Sequence, residues 1–135
     1  MSFVVDASIA LCWCFEDESS PEADALLDRA ARDGVVVPVL WRFELSNVLL
    51  QAEKRGRITT ADVAARLELL GALPVATDQD SVGRAWREVL SLARAYRLTT
   101  YDAAYLELAV HHGLPLATKD GELIKAAKSV GVALA

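Results

Sequence analysis

Five short apolar runs, at residues 3–5, 35–37, 75–76, 114–117 and 132–134, are separated by longer stretches whose apolar positions recur at helical spacing. Unbroken apolar runs of this length predict strands buried on both faces, the 75–76 pair being at most a short one. The stretches between them predict helices. The first runs through Ile9, Leu11, Trp13 and Phe15, capped by Ser8, and stops at the acidic residues 16–18. The second is signalled by Ser19, by Glu22 three residues on and by Pro21 near the first helical position, and it runs to Gly34.

Pro38 opens a long helix carrying Leu40, Phe43, Glu44, Asn47, Val48 and Gln51, which ends in the basic turn 54–57. Thr59 or Thr60 caps the next, through Val63, Leu67 and Leu70, and Gly71 and Pro74 stop it. Asp78 or Asp80 caps a helix through Val82, Trp86, Val89, Leu90 and Ala93 that ends near Arg97. Thr99 or Thr100 caps one through Tyr101, Tyr105, Leu108 and Ala109, which Gly113 ends, and Gly121 begins a last helix through Leu123, Ile124 and Ala127. Strands alternating with helices over short connections predict an α/β fold, a three-layer α/β/α sandwich around a mostly parallel sheet, with residues 1–135 as one domain.

Composition narrows the function. At 53% apolar residues the chain is too hydrophobic to be disordered. No apolar run approaches the roughly 20 residues of a membrane span, and the start MSFVVDAS lacks a basic leader region, so a cytoplasmic protein with no membrane partner is expected. Cys12 and Cys14, the only cysteines, match neither a metal-ligand nor a redox spacing and are expected to be reduced core thiols. A net charge of −5 argues against nucleic-acid binding by bulk attraction to phosphate. A divalent cation held by acids would reverse that argument locally.

Four acids stand out: Asp6, Glu44, Asp102 and Asp120. Singly, each has an ordinary reading. Asp6 and Asp120 suit turns or helix caps, Glu44 an exposed helix position, and Asp102 the positive end of a helix dipole. Together they carry more. Asp6 and Asp120 each follow an apolar strand, which in a parallel sheet puts them on the edge where ligands bind, and Asp102 at a helix start can face that edge. Glu44 lies on a partly apolar helix face, an awkward place for a merely solvated charge. Carboxylates crowded together repel, so such a cluster needs a metal or a shared proton, and hard oxygen ligands select Mg²⁺ or Mn²⁺, one or two ions. The chemistry that follows is phosphodiester hydrolysis. Ser8, Asn47 and Thr118 are positioned to orient the ligands, and Arg42 and Lys119 to touch phosphate oxygens or to remain solvated.

Other polar residues weigh less. His111 and His112 suit a helix C-terminus, and Glu107 lies one turn from His111 without forming a recognisable pair. Trp13, Trp41 and Trp86 read as core or interface.

The segments FVVDASIALCWCFED, ELSNVL, LTTYDAAYLELA and LATKD, in this order over essentially the whole chain, together resemble the PIN domain of VapC-type toxins. The resemblance implies a small α/β/α sandwich that binds Mg²⁺ or Mn²⁺ and cuts RNA. It assigns the family's acids to Asp6, Glu44, Asp102 and Asp120, and its hydroxyls to Ser8 and Thr118. It also implies inhibition by a cognate antitoxin and a homodimer. Two other readings stay open at this point: a non-catalytic binding module on the same fold, and a phosphotransfer domain working through an aspartyl phosphate. The second is weakened because Ser8 stands where such phosphatases place another acid.

Overall fold

The computed structural model describes residues 1–135. Strand β1 (Phe3–Val5) is fully buried at all three positions. It pairs in parallel with β2 (Val35–Pro38) on one side and with β4 (Leu116–Ala117) on the other. The remaining strand, β3 (Val75–Asp78), pairs in parallel with β2, so the sheet order is β3-β2-β1-β4. Every strand runs the same way, and the unbroken apolar runs are explained by helices on both faces.

The crossover rule says which helices cover which face. From β1 to β2 the chain passes through α1 (Ala7–Cys14) and α2 (Pro21–Asp33); from β2 to β3 it passes through α3 (Leu40–Lys54) and α4 (Thr60–Gly71). Both crossovers step in one direction across the sheet. The return from β3 to β4, through α5 (Leu90–Tyr96) and α6 (Thr100–His112), steps in the other. Right-handed crossovers therefore put α1 to α4 on one face and α5 and α6 on the opposite one. The packing agrees: α1 touches α2 and α3, α3 touches α4, and α6 touches α5 and the final helix α7 (Gly121–Val130). One core of 27 buried residues, Phe3, Trp13, Leu49, Tyr105 and Leu123 among them, fills the layers.

Where the chain reverses its direction across the sheet, between β1 and β4, the carboxyl ends of two neighbouring strands part. That topological switch point is where open parallel sheets bind ligands. Asp6 follows β1 there, and Thr118 to Asp120 follow β4.

Several element boundaries differ from the sequence pattern. The cap of α1 is Asp6, not Ser8: its Oδ1 accepts the Ile9 amide at 3.2 Å, and the Ser8 hydroxyl donates to the same carboxylate. Ser20, not Ser19, caps α2, with Pro21 at the first helical position. Among the alternatives left open, Thr59 caps α4 and Thr99 caps α6. The helix expected from residue 78 or 80 is instead a 3₁₀ turn (Asp80–Arg84), a π-helical turn (Ala85–Val89) and then α5. Asp78 starts it by accepting the amides of Asp80 and Ser81.

The 75–76 pair extends to a full four-residue edge strand. Residues 132–134 form no strand, only a single bridge from Leu134 to Leu116. Gly34 is needed where α2 turns into β2: its φ is +81°, and a Cβ there would meet the Pro74 carbonyl oxygen at 3.0 Å. No helix is long and apolar enough to cross a membrane.

Candidate active site

The site begins with Asp6, a buried carboxylate at the end of the central strand. Three donors hold it. Ser8 Oγ donates to Oδ1 at 2.6 Å, the Ile9 amide donates to the same oxygen, and the Thr118 hydroxyl donates to Oδ2. The two hydroxyls also stitch the strand ends together. Ser8 Oγ accepts the Lys119 amide at 2.9 Å, and Thr118 Oγ1 accepts the Asp120 amide at 3.1 Å. Neighbouring parallel strands thus deliver Asp6 and the Thr118 to Asp120 turn to one place, cross-linked by side chains 112 residues apart.

Asp120 is exposed at the start of α7, where its Oδ1 caps the Leu123 amide at 3.0 Å. Asp102 stands in the first turn of α6, which Thr99 caps. Glu44, half-buried on α3, accepts a hydrogen bond from the Tyr105 hydroxyl on α6 at 2.5 Å. Tyr105 is a site residue that the sequence pattern hid. Its ring satisfied the helical apolar period, and only its place three residues after Asp102, on the same helix face, could have flagged it.

The electrostatics join the four acids. Burial pushes the Asp6 carboxyl above its ordinary pKa, Asp102 adds repulsion, and the three hydrogen bonds only partly oppose them. Burial likewise raises Glu44, with further repulsion from Asp102 and Asp6 against the Tyr105 hydrogen bond. Asp102 is raised by burial and by Asp120. Each acid therefore feels at least one of the others, and none of the four makes an ion pair with any basic side chain. That is the arrangement in which a carboxylate cluster gains most from a bound cation.

Lone pairs remain for one. Glu44 keeps Oε2 free and Asp120 keeps Oδ2 free, and Thr99 is the one side chain that hydrogen-bonds Asp102. All are hard oxygens, so the donor set fits Mg²⁺ or Mn²⁺. As they stand, however, no three His, Cys, Asp or Glu side chains are grouped closely enough to hold an ion.

The remaining sequence candidates are spread more widely. Asn47, one turn after Glu44, is exposed on α3. The Arg42 guanidinium donates to the Thr77 hydroxyl, and Lys119 Nζ lies 3.5 Å from Cys12 Sγ, so neither cation is engaged with the acids. Cys12 and Cys14 are buried free thiols, as expected. Trp13 and Trp41 are core, whereas Trp86 is 90% exposed. Glu107 pairs with Arg84 rather than His111, and His112 Nε2 lies 2.6 Å from Asp78 Oδ2.

A sequence profile of the PIN domain matches residues 3–129. The chain belongs to the PIN domain family. Among curated proteins this PIN domain is similar to Ribonuclease VapC3 of Pyrobaculum aerophilum, 29% identical over 123 residues covering 91% of this chain and 92% of the relative. Among solved structures it superposes on PAE2754 of the same organism with a TM-score of 0.70 at 27% identity, covering 93% of this PIN domain and 79% of that chain. It superposes equally well, TM-score 0.70, on VapBC2 of Rickettsia felis bound to a DNA fragment from its promoter, with 100% and 98% coverage. At 14% identity that last likeness shows the fold alone.

Proposed function

We propose that this PIN domain is a divalent-metal-dependent endoribonuclease and the toxin of a toxin–antitoxin pair, with Asp6, Glu44, Asp102 and Asp120 as its metal-holding catalytic carboxylates. The observation that carries the reading is that Asp102 repels Asp6, Glu44 and Asp120, acids from separate segments, while none of the four has a basic partner. The similarity to Ribonuclease VapC3 supports RNA as the substrate.

When bound to these acids, one or two Mg²⁺ or Mn²⁺ ions supply the charge that activates a water and offsets the leaving oxygen in phosphodiester hydrolysis. The chain's own side chains do the positioning. Ser8 and Thr118 fix Asp6, Asn47 stands one turn from Glu44 to orient water or substrate, and Thr118 holds the backbone that carries Asp120. As phosphate contacts, Arg42 and Lys119 exchange Thr77 and Cys12 for phosphate oxygens. Exposed Phe43, Val82 and Trp86 offer apolar surface for the antitoxin and for a second copy of the chain in a cytoplasmic homodimer.

A second reading, a PIN module that binds without cutting, is favoured by the lack of a three-acid grouping able to hold an ion as the side chains stand. Cleavage decides between them. Purified protein with Mn²⁺ is expected to cut RNA, and Asp6→Asn and Asp102→Asn to cut at least about 100-fold more slowly. Equal cleavage by wild type and both variants overturns the assignment.

A further inference from the structure

We propose that Tyr105 is a positioning residue for Glu44: its hydroxyl, donating to Oε1 at 2.5 Å, fixes the carboxylate and leaves Oε2 free for the cation. The inference rests on the metal-nuclease reading above. Its starting point is an asymmetry between two acids of the site. Asp6 is held by three donors on a short side chain, whereas Glu44 reaches in on a longer one from α3 and has a single donor. Without Tyr105 no hydrogen bond from the protein would fix that carboxylate, and its rotamer freedom would oppose ligation.

The donor itself is immobile. Tyr105 is 1% exposed within the main core cluster, so its ring cannot shift to follow a wandering carboxylate. It lies three residues after Asp102 on α6, and the hydrogen bond therefore ties α3 to the turn that carries a second acid of the site.

The chemistry of a tyrosine suits the task better than that of a lysine or arginine. A phenol has one proton to give, so it occupies one oxygen and leaves the other. It brings no positive charge, and the carboxylate keeps its full attraction for a cation.

Tyr105→Phe deletes one oxygen and keeps the ring that fills the core. Measured by calorimetry on the full chain, this variant is expected to bind Mn²⁺ about tenfold more weakly than wild type, as loss of an outer-shell partner usually does. Because the effect passes through Glu44, the same change made in a Glu44→Ala background is expected to cause no further loss. Wild-type affinity in Tyr105→Phe overturns the proposal. So does a tenfold loss that persists in the Glu44→Ala background, which would mark a general packing role. Failure of the wild-type protein itself to bind Mn²⁺ would instead overturn the metal site, and the inference with it.

Discussion

Asp6 shows what placing a carboxylate at the end of a buried strand costs and what it provides. Three hydrogen bonds stabilise the charged form, yet burial and Asp102 prevail and its pKa stands above the ordinary 3.8. The folded protein thus holds the Asp6 proton more tightly than the unfolded chain does. Stability from this residue is greatest at low pH and falls as pH rises from 3.8 through the raised folded value. Asn caps a helix as well as Asp does, so Asp6→Asn keeps an acceptor for the Ile9 amide while removing the charge. In chelator, melting curves from about pH 4 to about pH 7 are expected to show wild type losing stability relative to Asp6→Asn; a constant difference would contradict the sign.

Asp6, Asp102 and Asp120 stand at boundaries that apolar periodicity makes visible, and Glu44 stands out as a charge on a partly apolar helix face. Of their partners, Ser8 and Thr118 could be read as well, since each stands two residues from an acid, but Tyr105 could not. Tyr105 meets Glu44 across 61 residues, and no local pattern encodes such a meeting. The cap of α1 fell to Asp6 rather than Ser8 because both side chains can cap, and only three-dimensional reach decides which oxygen meets the amide.

At the scale of elements, strands and helices followed their periods, and the failures lay where long-range polar contacts override them. The segment from Asp80 to Tyr96 breaks into 3₁₀, π and α turns beside a network that sequence reading passed over. Arg84 Nε donates to Glu107 at 2.5 Å, its Nη2 lies 3.4 Å from Asp78, and Asp78 also meets His112. Glu107 is buried on α6, the helix that also carries Asp102 and Tyr105. Removing its partner strands a charge in the interior. Arg84→Met is therefore expected to destabilise the protein by about 3 kcal/mol in urea, with most of the loss recovered in the Arg84→Met/Glu107→Leu double variant. A loss under about 0.5 kcal/mol would mean that Glu107 reaches water or another partner. The missing fifth strand has a simpler cause: residues 132–134 meet β4 only at Leu116, too briefly to build a ladder.

For the molecule as a whole, a net charge of −5 and a proposed nucleic-acid substrate are reconciled if the positive charge at the site is borrowed. A borrowed ion also links folding to binding. At about 100 times its dissociation constant a ligand bound only by the native state adds about 2.7 kcal/mol. Mn²⁺ is thus expected to raise the melting temperature by about 8 °C in the wild type and by much less in Asp102→Asn, whose site lacks one of its charges. Equal shifts in both would place the ion elsewhere.

The pairing of the first strand with the last bears on how the protein is made. Asp6 is made 112 residues before the Thr118 hydroxyl that clasps it, and well before the strand that lines up beside it. A chain stalled before Ala117 carries at most three of the four acids, without the edge that assembles them. If the protein is a toxin, its synthesis is intrinsically safe: until β4 and Thr118 have been made there is nothing for an antitoxin to restrain.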